Sequence, residues 1–400
     1  MGRVLLAFEP PDGGVPENVA QLALGLRSCG WEPEVAGPPE AAPYRQLGEA
    51  GIRIWRLPFG RGYGRPSSEL RALVQLRALL RTGRFELAHV HAAKAGVLGR
   101  AAAAWCGVPA LYSPHCFPFV GRTARGLRLA AIASEALLGR LSDVLCVCEQ
   151  ERALALAHRI APPERLHVVH NGCAAPDPRR SGLDERIVEL KERGPVVGAV
   201  ATLRAQKRLD LLIEATPIVL AAVPSASVAL VGDGPMESQL RRRARAVGLD
   251  REPRFEMLPF RRPASSTLMA LDLYALPSAW ESFPIGLLEA MACGVPQVVS
   301  DVGGNREAVT PLTGQVVAPN EPLALARAIV AMLSEPERLA RAAEASRLRH
   351  AERFGLEQMV RATAAVYDAI LARGAAPAVS DRRRGARAAP RTCRRASTRP

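Results

Sequence analysis

Twice along this chain, short apolar runs of strand length alternate with stretches of helical spacing. The two series are parted by Pro176-Asp177-Pro178-Arg179-Arg180-Ser181-Gly182, which is composed like a linker. The first series has strand-like runs at Arg3–Phe8, Ile52–Leu57, Leu87–His91, Ala110–Ser113, Val144–Val147 and Leu166–Val169. The second has Val196–Ala201, Ser227–Val231, Phe255–Leu258, Leu273–Leu276, Val298–Ser300 and Gln315–Val317. Strands that alternate with helices in this way form parallel sheets covered on both faces. The expected fold is α/β, with two Rossmann-like, doubly wound domains. Four hundred residues also exceed the roughly 250–300 at which single cores stop growing. The boundaries predicted are 1–175 for the first domain, 176–193 for the linker, 194–355 for the second domain, and 356–372 for a C-terminal helix packing back toward the first. Residues 373–400, rich in Ala, Pro, Arg and Ser, bury too little apolar surface to order themselves.

In open α/β sheets, ligands sit beyond the carboxyl ends of the strands, so the strand-end turns are where chemistry is sought. Pro10-Pro11-Asp12-Gly13-Gly14 follows the first strand, and its glycines let backbone N–H groups approach a ligand at a helix start. The alternative for this turn is a plain strand-to-helix connection. His89-Val90-His91 ends another strand and runs into Lys94-Ala95-Gly96, and His115 stands after Tyr112-Ser113-Pro114 at a third strand end. Zinc would require a ligand spacing that these histidines lack, and no structural metal is expected. In the second series, Arg204-Ala205-Gln206-Lys207-Arg208 follows the first strand and places cations where a diphosphate would be gripped. Gly232-Asp233-Gly234-Pro235 suggests a turn, and Asp301-Val302-Gly303-Gly304 offers N–H groups to a phosphate or sugar oxygen.

Chemistry concentrates between Ser278 and Pro296. Pro284 suits the first turn of a helix, so Glu281 precedes that helix and Glu289 lies within it. Leu287, Leu288 and Met291 fix the helix, and Cys293-Gly294-Val295-Pro296 ends it and feeds the next strand. Two carboxylates about a turn and a half of helix apart, plus a loop, can hold two parts of one extended ligand.

The formal charge of +14 resembles a nucleic-acid signal until it is divided. From residue 373 onward nine Arg stand against one Asp, residues 173–372 are balanced, and the rest of the excess lies in the first half. The tail lacks interleaved aromatics, so no specific nucleic acid is expected as a partner. An anionic membrane surface suits the charge better, as do the basic stretches near 53–84 and 122–128, including the amphipathic helix around Ser67–Arg81. The other reading of that helix is a solvated back. Eight cysteines without a Cys-x-x-Cys pair read as reduced thiols. No apolar run reaches membrane-spanning length and no signal peptide is recognised, so a cytoplasmic protein is expected, peripheral on the inner face of the membrane.

The block Ser278–Pro296 resembles the signature of the family-four retaining glycosyltransferases of GT-B fold, the glycosyl transferases group 1. The resemblance covers about residues 3–372. It is carried in order by Gly13-Gly14, His91 with Lys94-Ala95-Gly96, Pro114-His115, Asn171-Gly172, Lys207, Gly232-Asp233-Gly234-Pro235, Asp272, Pro277-Ser278, Glu281, Glu289-Ala290, Gly294-x-Pro296, Gly303-Gly304 with Glu307, and Gly314. It implies two domains facing a central cleft, the N-terminal one shaping the acceptor site and the C-terminal one binding a nucleotide sugar, UDP- or GDP-linked, as co-substrate with no cofactor. By the same resemblance, Lys207 and Arg204 would bind the diphosphate, Glu281 a hydroxyl of the transferred sugar, and Glu289 the ribose. Phe283, Gly286, Gly303 and Gly304 would line the donor site, and Gly14 would touch the donor from the other domain. Glu281, His115 and Lys207 are the implied catalytic residues, and His91, Lys94 and His115 the acceptor side. The family usually has Arg five residues before the lysine; here that position is Thr202, with Arg204 and Arg208 as substitutes. The implied reaction moves a sugar with retention to a hydroxyl of a cell-surface glycan or lipid-linked intermediate, or of a soluble natural product. Two other classes compete: a sugar-nucleotide epimerase or hydrolase on the same fold, and a basic membrane- or nucleic-acid-binding protein without catalysis.

Overall fold

The computed structural model describes residues 1–59, 66–121, 124–177 and 182–375. Most of the Arg-rich tail, Arg122 of the basic stretch and residues 178–181 of the linker lie outside those described. The chain divides into two compact units, one of residues 1–171 with 356–400 and the other of residues 172–355.

Unit 1 contains β1 (Gly2–Phe8), α1 (Gly14–Leu26), β2 (Trp31–Gly37), α2 (Tyr44–Glu49), β3 (Ile54–Arg56), α3 (Pro66–Thr82), β4 (Leu87–His91), α4 (Ala93–Cys106), β5 (Ala110–Ser113), α5 (Arg125–Leu138), β6 (Asp143–Cys146), α6 (Glu149–Ala157) and β7 (Leu166–Val168). All pairings are parallel, in the order β3-β2-β1-β4-β5-β6-β7. β1 alternates between two apolar layers: Leu5 and Ala7 face the layer of α3 and α4, while Val4, Leu6 and Phe8 face that of α1. β2 is absent from the apolar runs because Glu32, Pro33 and Glu34 interrupt it. Buried Glu34 is accommodated by Arg3 and by the Trp55 indole N–H, which donates at 2.6 Å.

Unit 2 contains α7 (Glu185–Lys191), β8 (Val196–Val200), α8 (Leu209–Ala222), β9 (Ser227–Val231), α9 (Glu237–Ala246), β10 (Phe255–Leu258), α10 (Ala264–Leu268), β11 (Leu273–Leu276), α11 (Ile285–Ala292), β12 (Gln297–Ser300), α12 (Asn305–Ala308), β13 (Gly314–Val317), α13 (Pro322–Leu333) and α14 (Pro336–Arg353). Its parallel order is β10-β9-β8-β11-β12-β13. The segment read as a linker thus holds a helix, α7, whose N-terminus is capped by the Asp184 carboxylate. α14, not distinguished in the sequence, opens with Pro336 in its first turn.

The last helix, α15 (Leu356–Ala375), belongs to unit 1. Met359, Val360, Ala364, Tyr367 and Ile370 join the core of α1, β1 and Trp31. Asn18 donates to Asn171 at 3.1 Å and contacts the Met359 sulfur at 3.3 Å, so α1, the chain after β7 and α15 meet at one polar point.

In both sheets the strand order reverses direction beside the first strand, between β1 and β4 and between β8 and β11. Ligands of open parallel sheets bind at such switch points.

Candidate functional site

In unit 2 the switch point is occupied by the turn after β8 and the loop after β11. The first carries Arg204 to Arg208, and the second Pro277 to Phe283. Glu281 is the centre: its carboxylate accepts from Lys207 Nζ at 2.6 Å, from Ser278 Oγ at 2.7 Å and from Gln206 Nε2 at 3.3 Å. Gln206 also donates to the Trp280 carbonyl at 2.9 Å, and its own carbonyl accepts from the Ala279 N–H at 2.8 Å, so the two loops are stitched together. The Glu281 side chain is 7% exposed and that of Lys207 19%. A carboxylate this buried is tolerable because a cation and two further donors satisfy it.

Glycines bring the supporting loops into contact. A Cβ on Gly303, which lies at φ +55°, would overlap the Glu281 carbonyl oxygen, and the Gly304 N–H donates to the Ser282 carbonyl at 2.6 Å. The Gly303-Gly304 loop is therefore moulded onto the backbone that carries Glu281. Gly232 and Gly234 act likewise on the β8 turn: the Leu203 N–H donates to the Asp233 carbonyl at 2.9 Å, and a Cβ on Gly234 would lie 2.6 Å from the Leu203 carbonyl. Gly286, in the first turn of α11, has Tyr274 Oη and the Val200 carbonyl beside it, which sets the helix start against the end of β8.

Other predicted donor residues have distinct surroundings. Glu289 is half-buried on α11. Phe283 is buried and packs on Phe354, with ring centroids 5.4 Å apart, so its ring supports the loop from within. Arg208 is tied to Asp210 by hydrogen bonds of 3.0–3.1 Å and also meets Asn320, whereas half-buried Arg204 adjoins the Gln206–Lys207 turn. Ser278 and Gln206 are contributors to which the sequence assigned no role. The Ser-x-x-Glu spacing and the neighbouring Lys207 were the available signals.

In unit 1 the switch point brings together the ends of β1, β4 and β5, where Phe8 pairs in register with His91 and His91 with Ser113. Gly13 (φ +93°) starts α1 without a side-chain cap, and Gly14 is exposed at its first position. First-turn N–H groups have no intrahelical acceptor. Lys94 sits at the start of α4: its backbone N–H donates to Glu9 Oε1 at 3.1 Å, and its ammonium pairs with Glu69 at 3.2 Å. Burial pushes the Glu9 carboxyl up, against the pull of Lys94.

His91 Nδ1 lies 2.9 Å from His115 Nε2, and His91 Nε2 is buried without a hydrogen-bond partner. The His89 ring lies against that of His91, with centroids 3.9 Å apart and planes tilted by 36°, and hydrogen-bonds to Tyr367 Oη at 2.6 Å and Ser113 Oγ at 2.8 Å. Burial lowers all three histidines, His115 to about 4, and the neighbouring rings depress His89 and His91 further. They are neutral imidazoles at pH 7, able to accept or donate a proton but not to serve as fixed cations. His115 has φ +53° and Cys116 φ +130°, uncommon for non-glycine residues and typical of backbone held for a purpose. The sequence named His91 and His115; Tyr367, more than 270 positions from His89, was beyond its reach.

Among the described residues no cluster of three or more His, Cys, Asp or Glu could hold a metal ion, and the seven cysteines are free thiols.

The profile of the family described as Glycosyl transferases group 1 matches residues 183–349, and that of the Glycosyl transferase 4-like domain matches residues 13–172. The chain is 30% identical over 360 residues to a D-inositol 3-phosphate glycosyltransferase of Thermobispora bispora, covering 83% of this chain and 79% of that protein. It is 27% identical over 245 residues to the UDP-Gal:alpha-D-GlcNAc-diphosphoundecaprenol alpha-1,3-galactosyltransferase of Escherichia coli. That match covers 59% of this chain and 63% of the relative, so it spans less than two thirds of that protein. The crystal structure of Anabaena HepE in complex with UDP and glucose is similar with a TM-score of 0.76 at 21% identity, over 92% of this chain and 100% of that one. These likenesses leave no place for a non-enzymatic basic protein: the chain belongs to the group 1 glycosyltransferases, enzymes that use nucleotide-sugar donors, and has their GT-B fold.

Proposed function

We propose that the chain transfers a sugar, with retention of anomeric configuration, from a UDP- or GDP-sugar to a hydroxyl of a lipid-linked intermediate or cell-surface glycan. The observation that carries the donor assignment is the fixed Glu281 carboxylate, held by Lys207, Ser278 and Gln206 at the β8/β11 switch point. In this reading unit 2 binds the donor and unit 1 the acceptor.

Lys207 is the cation nearest the departing diphosphate, and Arg204 adds positive charge at the same turn. Fixed donors aimed at developing charge contribute about 10²–10³ in rate each. Glu281, held by three donors, keeps its remaining lone pairs in place for a sugar hydroxyl, and Glu289 takes the ribose. The Gly303-Gly304 loop lines the sugar, with Phe283 supporting the loop from behind. From unit 1, the Gly14 backbone and neutral His115 serve the donor sugar, with His91 and Lys94 on the acceptor side. The bond from the anomeric carbon to the phosphate oxygen breaks with its electron pair passing to the diphosphate. The acceptor oxygen bonds to the same face, and its proton goes to the departing diphosphate oxygen. No carboxylate pair spanning the anomeric carbon is needed, unlike in glycoside hydrolysis.

A soluble polyol or natural-product hydroxyl is the second reading of the acceptor, favoured by similarity over 83% of the chain to an enzyme named for inositol phosphate. Work at the cytoplasmic face of a membrane fits the first reading; among the described residues no helix is long and apolar enough to cross one.

The test is a thermal-shift panel of UDP-, GDP-, ADP- and TDP-sugars on wild type and Glu289→Ala. A ligand at 100 times its dissociation constant adds about 2.7 kcal/mol. One nucleotide series should raise the wild-type midpoint and leave the variant unmoved. No shift with any of them would defeat the donor assignment.

A further inference from the structure

Glu9 stands at the unit 1 switch point, half-buried, and follows directly on β1, whose last residue Phe8 pairs with His91 of β4. Side chains alternate along a strand, so Glu9 leaves the sheet on the side of Leu5 and Ala7, the layer of α3 and α4. There its Oε1 accepts from the backbone N–H of Lys94, the second residue of α4, at 3.1 Å. Ala92, which precedes α4, has no side-chain oxygen with which to cap it, so Glu9 caps the helix from another strand.

A cap uses one carboxylate oxygen. Among the described residues Glu9 takes no further hydrogen bond, so its second oxygen has no protein donor. The Lys94 ammonium is engaged with Glu69 at 3.2 Å. Burial holds the Glu9 carboxyl above its usual range even though the Lys94 N–H and ammonium pull it down. Capping alone requires no such cost, because a serine at the position of Ala92 would serve the helix from within. At the neighbouring strand end, His91 Nε2 is a second polar atom that the protein leaves unpaired. A carboxylate that burdens the fold and keeps an oxygen unused at a ligand-binding position points to a ligand.

The chemistry of that ligand follows from the surroundings. An ionised carboxylate only accepts, so the ligand must bring donors, either hydroxyls or an ammonium. The positive end of α4 and the Lys94 side chain disfavour another cation. A phosphate is disfavoured too, because the anion that the start of α4 attracts is Glu9 itself, and the imidazoles of His91 and His115 are neutral. A neutral hydroxyl remains.

We propose that Glu9 is a specificity-determining residue for the acceptor: its second oxygen accepts from a hydroxyl of a neutral sugar or polyol ring, and the ring bound there carries no phosphate. The proposal rests on the reading that unit 1 holds the acceptor. Gripping one hydroxyl fixes the orientation of the ring, and so decides which other hydroxyl is presented for transfer.

The experiment compares wild type with Glu9→Gln in the full chain. The amide keeps an oxygen for the Lys94 N–H and removes the charge, so the cap survives while the grip on a hydroxyl weakens. The neutral probes are methyl α-D-glucopyranoside, methyl α-D-mannopyranoside, methyl α-D-galactopyranoside and myo-inositol, and the charged probe is glucose 6-phosphate. Affinities come from saturation-transfer NMR with UDP or GDP present. Wild type should bind at least one neutral probe more tightly than glucose 6-phosphate, and Glu9→Gln should weaken that probe about ten-fold or more. With a folded value raised above the unfolded one, the support that Glu9 gives the fold is present below the unfolded value and lost as pH rises through the folded one. At pH 7 the variant should therefore melt at the wild-type midpoint or higher. Equal affinity in the variant, tighter binding of glucose 6-phosphate, or no neutral probe bound by wild type would overturn the proposal. So would a midpoint several degrees lower in Glu9→Gln, which would make Glu9 a structural cap only. The midpoint shift given by nucleotide sugars reports on unit 2: its absence in wild type defeats the donor assignment, whereas its persistence in Glu9→Gln beside unchanged probe affinity defeats this proposal alone.

Discussion

Replacing Lys207 by methionine removes the cation beside Glu281 while keeping most of its stem. The Glu281 carboxylate is 7% exposed, and the variant would leave it with Ser278 at 2.7 Å and Gln206 at 3.3 Å. Breaking a fully buried pair costs about 3–5 kcal/mol. Two surviving hydrogen bonds and the partial exposure of Lys207 reduce this, and about 2–3 kcal/mol is expected for unit 2. Glu281→Gln should cost less, about 1 kcal/mol, because the ammonium left behind can turn to water. In the double variant neither charge is stranded, so the combined loss should fall short of the sum by about 1–2 kcal/mol. Native-state hydrogen exchange at β8 and β11 amides is the appropriate assay, because a melt of two units is not one two-state transition. A coupling energy under about 0.5 kcal/mol would refute the reasoning: Lys207 would not be what makes a buried Glu281 tolerable.

Gly303→Ala places a Cβ against the Glu281 carbonyl at φ +55°. The left-handed conformation alone costs about 1–2 kcal/mol, and shifting Glu281 by an ångström should lower kcat by about 10²-fold; wild-type turnover would show that the loop contact is dispensable. Acid should weaken unit 1 well before carboxylates titrate. His115 has a folded value of about 4 against about 6.5 unfolded, so its contribution is complete above pH 6.5 and is lost as pH falls toward 4. That amounts to about 3 kcal/mol, with His89 and His91 acting in the same direction. Urea midpoints between pH 7 and 5, followed by exchange at β4 amides, should decline; a flat profile would contradict the buried neutral stack.

Four of the six strands of unit 2, β8, β9, β11 and β12, are buried at every residue because both faces of the sheet are covered there, so burial itself is written into consecutive residues. β2 was hidden by the same logic: Glu34 is buried only because Arg3 and Trp55, distant in sequence, meet it there. α7 was masked by the proline- and arginine-rich composition that precedes it. Within the site, Glu281 and Lys207 belong to recognisable local patterns. The hydrogen bond from Gln206 and the packing of Gly303 on Glu281 are set by how separate loops register at the switch point, which no local pattern records. The histidines show the same limit: Pro-His at a strand end is legible, whereas the Tyr367–His89–Ser113 chain is a product of tertiary packing.

The return of α15 to unit 1 sets an order of assembly during synthesis. Unit 2 is one uninterrupted stretch, residues 172–355, and its whole sequence is available before α15 is made. Unit 1 begins first and finishes last: until Leu356–Ala375 emerge from the ribosome, the faces of Trp31 and α1 that Tyr367 and Val360 cover stay open, and His89 waits for its phenol. The nascent N-terminal half is thus the part exposed longest to misassociation, and an expressed fragment stopping at Asn171 would keep that open face permanently, while a fragment of residues 172–355 would not.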